Sequence, residues 1–264
     1  MKVNIERYNS IKQLLDTIET RPVNKIFKNK TLGSEHSTKT FTGTQNYNEA
    51  RDLFLYGYAS AVEALKNIKV PAPNASSKQR SFSDIVGYAP HVSNYIQGIP
   101  QSMINSRKIM QKARTIELFY ITCIDESKTT TEIIEAGKKV LQAVKTIEIN
   151  QISVKLSAIM LTSSSNKKAS EIALLILKLK DYQEKLDIKK IAFPLVHPSA
   201  IRRIGFKWLE TVPTLKSKLF THNYGYSICS SKFIKRILNT NGVVLSYNDI
   251  YTKTTEDIIK MITK

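Results

Sequence analysis

Cysteine is scarce in this chain: Cys123 and Cys229 are the only two in 264 residues, and they lie far apart. That excludes a disulfide framework and fits a reducing compartment. Cys123 sits inside an apolar strand pattern, where a thiol behaves as a small hydrophobe. The four histidines, His36, His91, His197 and His222, have no Cys or His at zinc-ligand spacing, which argues against a zinc site. No run approaches the ~18 uncharged apolar residues of a membrane span. The longest, Leu118 to Ile124, already contains Thr122 and follows Glu117. The first residues, Met-Lys-Val-Asn-Ile-Glu-Arg, lack the apolar stretch of a secretory signal. No internal repeat, P-loop, helix-turn-helix text or RNA-module signature is present. The expectation is a soluble protein of the cell interior.

Acidic residues are also few, 22 Asp plus Glu against 40 Lys plus Arg, for a formal charge of +18. Such an excess supports polyanion binding but fixes no target. Arginine, the residue suited to bidentate phosphate and guanine contacts, supplies only 9 of those cations against 31 lysines. A gene rich in A and T would produce the same Lys, Ile and Asn bias, so both readings stand. Apolar residues at 42% and charged residues at 23% are the balance of a folded chain, long enough for one large domain or two small ones.

Residues 1 to about 40 mix a short helical pattern (Ile5, Ile11, Leu14, Leu15, Ile18) with a basic, turn-rich stretch. The spacing of Leu53, Phe54, Tyr58 and Val62 predicts a helix from Tyr47 to Lys66, with Asn46 as N-cap and Glu49 completing a capping box. Pro71, Pro73, Pro90 and Pro100 with Gly87 and Gly98 make residues 67 to 112 extended or looping, the expected boundary. Gly87 and Gly98 suit turns, and Pro90 and Pro100 stiffen a segment expected to drape over the sheet as a strap. From Arg114 onward the text changes. Thr115 to Ile124 reads as a strand buried on both faces, hence central in its sheet. A helix follows to about Ile147, with Ile133, Ile134, Gly137, Val140, Leu141 and Val144 along one stripe. Strands are predicted at Ile152 to Thr162 and Glu171 to Lys180, joined by a hairpin-like Ser163-Ser-Ser-Asn-Lys-Lys turn. Helices follow near Ile188 to Leu195 and Ser199 to Phe206, then a strand at Val243 to Ser246 and a helix at Glu256 to Thr263. This is an α/β plan with a largely parallel sheet covered on both faces.

The sharpest local signal is Asp125-x-Ser127-x-Thr129, directly after the first buried strand. The carboxyl ends of strands are where α/β sheets bind ligands. An acid and two hydroxyls at this spacing can turn toward one hard cation such as magnesium. The spacing resembles the metal-dependent adhesion motif of von Willebrand factor A domains, with Thr in place of the last Ser. That family draws further ligands from a Thr on a second loop and an Asp on a third. No Thr-Asp-Gly supplies the latter, the nearby acids being Asp181 and Asp249. The simpler reading makes Asp125 or Ser127 a cap for the following helix. No tight, obligatory divalent ion or other cofactor is expected.

A wider likeness rests on Phe41-Thr-Gly-Thr44, Glu49-Ala50, Gly57, Gly87-Tyr-Ala-Pro90, Tyr95-Ile-Gln-Gly-Ile-Pro-Gln-Ser-Met103, Ile191-Ala-Phe-Pro-Leu-Val-His-Pro-Ser-Ala-Ile-Arg-Arg203 and Phe206. Across residues 40 to 206 the chain resembles a bacteriophage-encoded family of unknown function that is regarded as von Willebrand factor A-like. The resemblance implies a family-specific N-terminal region, residues 1–111, packed on an A-like three-layer α/β domain, residues 112–264. It implies no established activity. His197-Pro198-Ser199 reads as a helix start, and a catalytic His197 would need a partner in space.

Between Ile201 and Thr240, Arg202, Arg203, Lys207, Lys216, Lys218, Lys232, Lys235 and Arg236 face the single acid Glu210. Phe206, Trp208, Phe220, Tyr224, Tyr226 and Phe233 are interleaved, a mixture suited to single-stranded nucleic acid. The same aromatics equally suit a core. Arg202, Arg203, Lys207, Lys232, Lys235 and Arg236 are the candidate phosphate contacts. A second acid-free stretch, Arg107, Lys108, Lys112 and Arg114, precedes the first strand. The function expected is a non-enzymatic phage binding or scaffold protein of the host cytoplasm, holding a protein partner or polyanion and not a membrane. A virion component associated with nucleic acid is the alternative, and a metal-dependent enzyme built on Asp125 or His197 the third.

Overall fold

The structure, a computed structural model, describes residues 2–60, 63, 79–108, 114–123, 127–165, 171–228 and 230–264. Two units form, residues 1–71 with 115–264, and residues 72–114. In chain order the first unit opens with β1 (Lys2–Tyr8), α1 (Ile11–Thr20), the short turns α2 (Gly33–His36) and α3 (Lys39–Thr42), and α4 (Tyr47–Tyr56). The second holds β2 (Gln79–Asp84), β3 (Ala89–Pro90), α5 (Val92–Ile96) and β4 (Met103–Lys108). The first resumes with β5 (Thr115–Ile121), α6 (Thr130–Ile149), β6 (Ser153–Ser163), β7 (Glu171–Lys180), α7 (Ile188–Val196), a π-helical turn (Ala200–Gly205) and α8 (Phe206–Thr211). It closes with β8 (Tyr226–Ser227), α9 (Ser231–Leu238), β9 (Val243–Leu245), α10 (Tyr247–Ile250) and α11 (Thr255–Thr263).

The main sheet runs β1-β7-β6-β5-β9, with β8 attached to β6. Strand β1 is parallel to β7, and β5 is parallel to both β6 and β9, while β6 and β7 pair antiparallel. The result is a mixed α/β unit with a mostly parallel central sheet, Rossmann-like in arrangement. Strand β5 has a neighbour on each side, as its two-sided apolarity demands: Leu118, Tyr120 and Ile121 are at most 1% exposed. Register puts Tyr120 beside Ala158 and Ala158 beside Leu177. That face lies under Leu14 of α1, Phe54 of α4 and Pro194 of α7. Phe119, Ser157 and Ile176 belong to the opposite face, beside Leu238 of α9.

Helix α6 buries Ile133, Gly137, Val140, Leu141 and Val144 of the predicted stripe, keeps Ile134 partly buried, and adds Ile147. Each of its buried Ile, Val and Leu side chains contributes about 1.5–3 kcal/mol of transfer free energy. Gly137 lets α6 approach α7 closely, since a Cβ there would stand 2.5 Å from the Leu195 carbonyl oxygen.

Three expectations change. Ile5 is not helical: Lys2–Tyr8 pairs residue for residue with Glu171–Leu177, and the helical stripe begins at Ile11. The N-terminal residues therefore build the sheet itself, instead of packing as a separate 1–111 region onto a finished domain. Helix α4 ends at Tyr56, where Gly57 closes it; residues 61, 62 and 64–66 of the longer predicted helix lie outside the described residues. The Asn46 cap holds, its side chain accepting the Glu49 N–H at 2.9 Å. The Glu49 carboxylate reaches back to the Gln45 N–H at 2.6 Å, one residue before the position a capping box uses.

The second unit is not an extended strap. Its strands pair antiparallel in the order β2-β4-β3 because Gln79–Asp84 and Met103–Lys108 satisfy each other's backbone groups. It exposes Ile85, Val86, Tyr88, Val92, Tyr95 and Ile96. Among the described residues no helix is long and apolar enough to cross a membrane.

Candidate functional site: a cleft at the carboxyl ends of the parallel strands

Strands β5 and β6 run parallel, so their carboxyl ends open on the same edge of the sheet. A cleft of about 470 Å³ lies there, floored by Tyr120, Thr122, Cys123, Met160 and Thr162. Its walls come from Phe41, Ile133 in the first turn of α6, the end of α7, Ile201 and Arg202 of the π-helical turn, Phe206, and the loop Asn223–Ser227. This is the edge at which open α/β sheets receive ligands.

The polar atoms of the cleft differ in how they are satisfied. The Thr122 hydroxyl donates to the Ile159 carbonyl at 3.0 Å, which pins the end of β5 to β6. Thr162, 5% exposed, has a buried hydroxyl with no hydrogen-bond partner among the described residues. Leaving such a group unmade costs about 1–3 kcal/mol, so its retention needs a reason.

His197 follows α7 and lines the cleft. Its ring stacks on Phe193 with centroids 4.9 Å apart and meets Tyr58 edge-on at 5.2 Å. Burial pushes the imidazole down to about 4, so it is neutral at pH 7. Its Nδ1 accepts the Ser199 N–H at 3.2 Å, which leaves the ring proton on Nε2. Gly43, at φ +84, makes room for that edge: a Cβ there would meet His197 Cε1 at 2.9 Å. Phe41-Thr-Gly-Thr44 is thus the loop that frames the histidine, and the Ser199 hydroxyl ties to it through the Thr42 carbonyl at 2.5 Å and the Thr44 hydroxyl at 2.7 Å.

The rim carries backbone strain. Asn223, Tyr224 and Gly225 have φ of 54, 58 and 81, consecutive left-handed residues. A non-glycine residue held so costs of order 1–3 kcal/mol. Tyr224 is fixed by a ring stack on Phe206 (3.9 Å between centroids) and by donation from its hydroxyl to Glu210 at 2.5 Å. The Gly33 N–H donates to the same hydroxyl. Glu210 is fully buried, and burial pushes its carboxyl above the usual range although Ser34 donates to it through Oγ at 2.6 Å and N–H at 3.1 Å.

The candidate phosphate contacts separate into two groups. Arg203, 0% exposed, donates from Nε to Thr44 Oγ1 at 2.8 Å and from its terminal nitrogens to the carbonyls of Ser34, Glu35, Ser37, Thr44 and Gln45 at 2.9–3.3 Å. Arg202 donates to the carbonyls of Phe41 (2.7 Å) and Lys128 (3.2 Å) and lies 4.1 Å from the centre of the Phe41 ring. Lys207 pairs with Glu35 at 2.7 Å. These three are turned to the protein and not to a phosphate backbone: carbonyls, most of them from residues 34–45, engage the two arginines, and the Glu35 carboxylate engages Lys207. Lys232, Lys235 and Arg236 are exposed along α9. The interleaved aromatics go largely inward: Trp208 and Phe220 are 0% exposed, and the Trp208 indole donates to Glu6 at 2.8 Å.

Asp125, first residue of the metal-like motif, lies outside the described residues, as does Cys229. Ser127 is exposed. Thr129 is the N-cap of α6, in place of Asp125 or Ser127. Its hydroxyl accepts the Glu132 N–H at 3.3 Å and donates to the Glu132 carboxylate at 2.9 Å, so capping already uses it. Among the described residues no group of three His, Cys, Asp or Glu could hold a metal ion. Sequence reasoning missed Thr162, the Glu210–Tyr224 pair and the inward role of Arg203. The lone acid in a basic, aromatic stretch was the available signal for Glu210.

Comparison with curated proteins and with solved structures returns no match. A family model does match, over residues 2–264, that of a domain of unknown function, DUF7192, and the chain belongs to that family.

Proposed function

We propose that this is a non-enzymatic binding protein of von Willebrand factor A-like type, phage-encoded and working as a scaffold in the host cytoplasm, which holds its partner in the cleft at the carboxyl ends of β5 and β6. The observation that carries the reading is the buried, unpartnered Thr162 hydroxyl on the floor of that cleft. A group left unsatisfied at a ligand-binding edge is what an absent partner would satisfy. The strained Asn223–Gly225 rim supports the same reading, since such strain persists where the surroundings over-determine it, commonly at ligand clamps. A π-helical turn in the wall is a further feature frequent at functional sites. Ser227, exposed at the cleft, gives the test. A partner that co-purifies with the tagged protein from infected cells, in nuclease-treated and untreated arms alike, is expected to be lost in Ser227→Trp. Equal capture by the variant sinks the proposal.

The exposed α9 cations favour a second reading, a virion-associated protein that contacts nucleic acid. It expects co-purification with intact particles and capture lost on nuclease treatment. The third reading, a metal-dependent enzyme, expects a saturable magnesium, manganese or calcium isotherm abolished by Ser127→Ala; on the first reading titration calorimetry gives none.

A further inference from the structure

The cleft also has a chemical preference, and the argument for it rests on the cleft being a binding site. Among the described residues no Asp or Glu lines it. Three of the groups that line it are donors or bring positive potential. Thr162 has a buried hydroxyl with no partner among the described residues. His197, with Nδ1 engaged by the Ser199 N–H, carries its hydrogen on Nε2. The guanidinium of Arg202 stands in the wall, held in place by the Phe41 and Lys128 carbonyls. Ile133 brings the first turn of α6 into the lining, and α6 is 20 residues long, so the positive end of a full helix dipole lies at the cleft. Asn223, Tyr226 and Ser227 add polar groups at the rim, and Ile133, Pro194, Ile201 and Phe206 form an apolar stretch of the wall.

From this arrangement we infer that the cleft takes an oxyanion head group, carboxylate or phosphate, carried on an apolar body. The head accepts a hydrogen bond from His197 Nε2 near the amino end of α6 and a second from Thr162 once its buried hydroxyl turns toward the cleft, and the body lies against Ile133, Ile201 and Phe206. A volume of about 470 Å³ suits a small organic acid, a phosphate ester or the carboxyl-terminal residues of a peptide. A cationic ligand finds no counter-charge there among the described residues.

The test uses the full chain with labelled Ile and Met methyl groups, titrated with three matched series: aryl carboxylates, aryl phosphates and the neutral amides of the carboxylates. Shifts at Ile133, Ile201 and Met160 report the cleft. One of the two anionic series is expected to bind there about tenfold tighter than the amides, and which one binds identifies the head group. Thr162→Val is expected to weaken anion binding about tenfold, with amide binding unmoved, and Thr162→Ser to restore it. A thermal melt confirms that each variant folds. Amides that bind as tightly as the anions overturn the head-group assignment while leaving the cleft a binding site. Anion binding undiminished in Thr162→Val overturns it as well. Failure of all three series to move the cleft methyls overturns both this assignment and the binding-site reading beneath it.

Discussion

Two basic clusters from one stretch of sequence meet opposite fates. Arg202 and Arg203 sit in the π-helical turn with their charges spent on backbone carbonyls. Lys232, Lys235 and Arg236 stand out on α9 with Ile234 as the fully buried residue between them. Local spacing does not distinguish them, since both follow helical periodicity. What differs is the surroundings. The 34–45 segment presents the carbonyls of Ser34, Glu35, Ser37, Thr44 and Gln45 as a ring, and a planar guanidinium with its fork of donors is the side chain that can satisfy them together. Helix α9 needs only one apolar stripe to dock, so its cations remain in water.

The largest expected effect breaks the buried cluster. Arg203→Lys keeps the charge but replaces the fork with a single ammonium, stranding several carbonyls of the 34–45 loop. Arg203→Met strands all of them. A loss of about 3–5 kcal/mol in denaturant unfolding is expected for Arg203→Met, with Arg203→Lys nearly as costly. If Arg203→Lys melts like wild type, the carbonyl ring is not what holds the loop.

Next in size is a pH effect confined to the buried side. The His197 imidazole is held at about 4, below its ordinary value of 6.5. Between those values the unfolded chain binds a proton that the folded chain does not. Stability therefore falls as pH drops from 6.5 toward 4, by at most about 3 kcal/mol. Glu210 acts in the opposite sense. Its raised folded value means that the stability it contributes is present below the ordinary carboxylate range and is lost as pH rises through the folded value. Unfolding followed between about pH 6.5 and 5, above the window in which the lowered carboxyls of Glu6, Glu35 and Glu171 add their own acid-side loss, should lose its slope in His197→Gln. A slope unchanged in that variant would show that some other group sets it.

How far such differences can be read from sequence depends on the element. Strand β5 over Thr115–Ile121, the α6 stripe and the β6 and β7 strands were legible because an apolar period reports burial directly. Strand β1 was not, because Val3 and Ile5 sit close to the Ile11–Ile18 stripe and short apolar text fits either period. The Asn46 and Thr129 caps are local and recoverable, although Thr129 was read as a metal ligand and Asp125 or Ser127 as the cap. The cleft was hidden for a different reason. Thr162 is one hydroxyl in a strand, and only the tertiary arrangement reveals that nothing pairs with it. Arg203 looked like a phosphate contact because sequence shows charge and not the carbonyls that consume it.

A smaller effect follows at Thr162. Replacing an unsatisfied buried hydroxyl by a methyl of the same shape removes a desolvation penalty. Thr162→Val is expected to raise stability by about 1 kcal/mol, the reverse of the usual sign for a core substitution. A destabilised Thr162→Val would mean that the hydroxyl is satisfied in solution, and would remove the support it lends the cleft.

The smallest effect on stability belongs to the exposed cluster, and it sharpens the comparison most. Lys232, Lys235 and Arg236 are exposed and form no side-chain ion pair among the described residues. Replacing all three with Glu should therefore leave unfolding within about 0.5 kcal/mol of wild type, apart from a minor loss because Lys235 and Arg236 lie in the last turn of α9 and favour its dipole. Binding behaves differently. If α9 contacts nucleic acid, a gel shift with single-stranded oligonucleotides should weaken uniformly across sequences and lose part of its salt dependence, since each neutralised phosphate releases a counterion. If the cations only keep a lysine-rich chain in solution, wild type and variant give the same empty lane at physiological salt. A folded triple variant that loses binding assigns the three cations of α9 to a polyanion, while the two arginines of the π-helical turn belong to the fold.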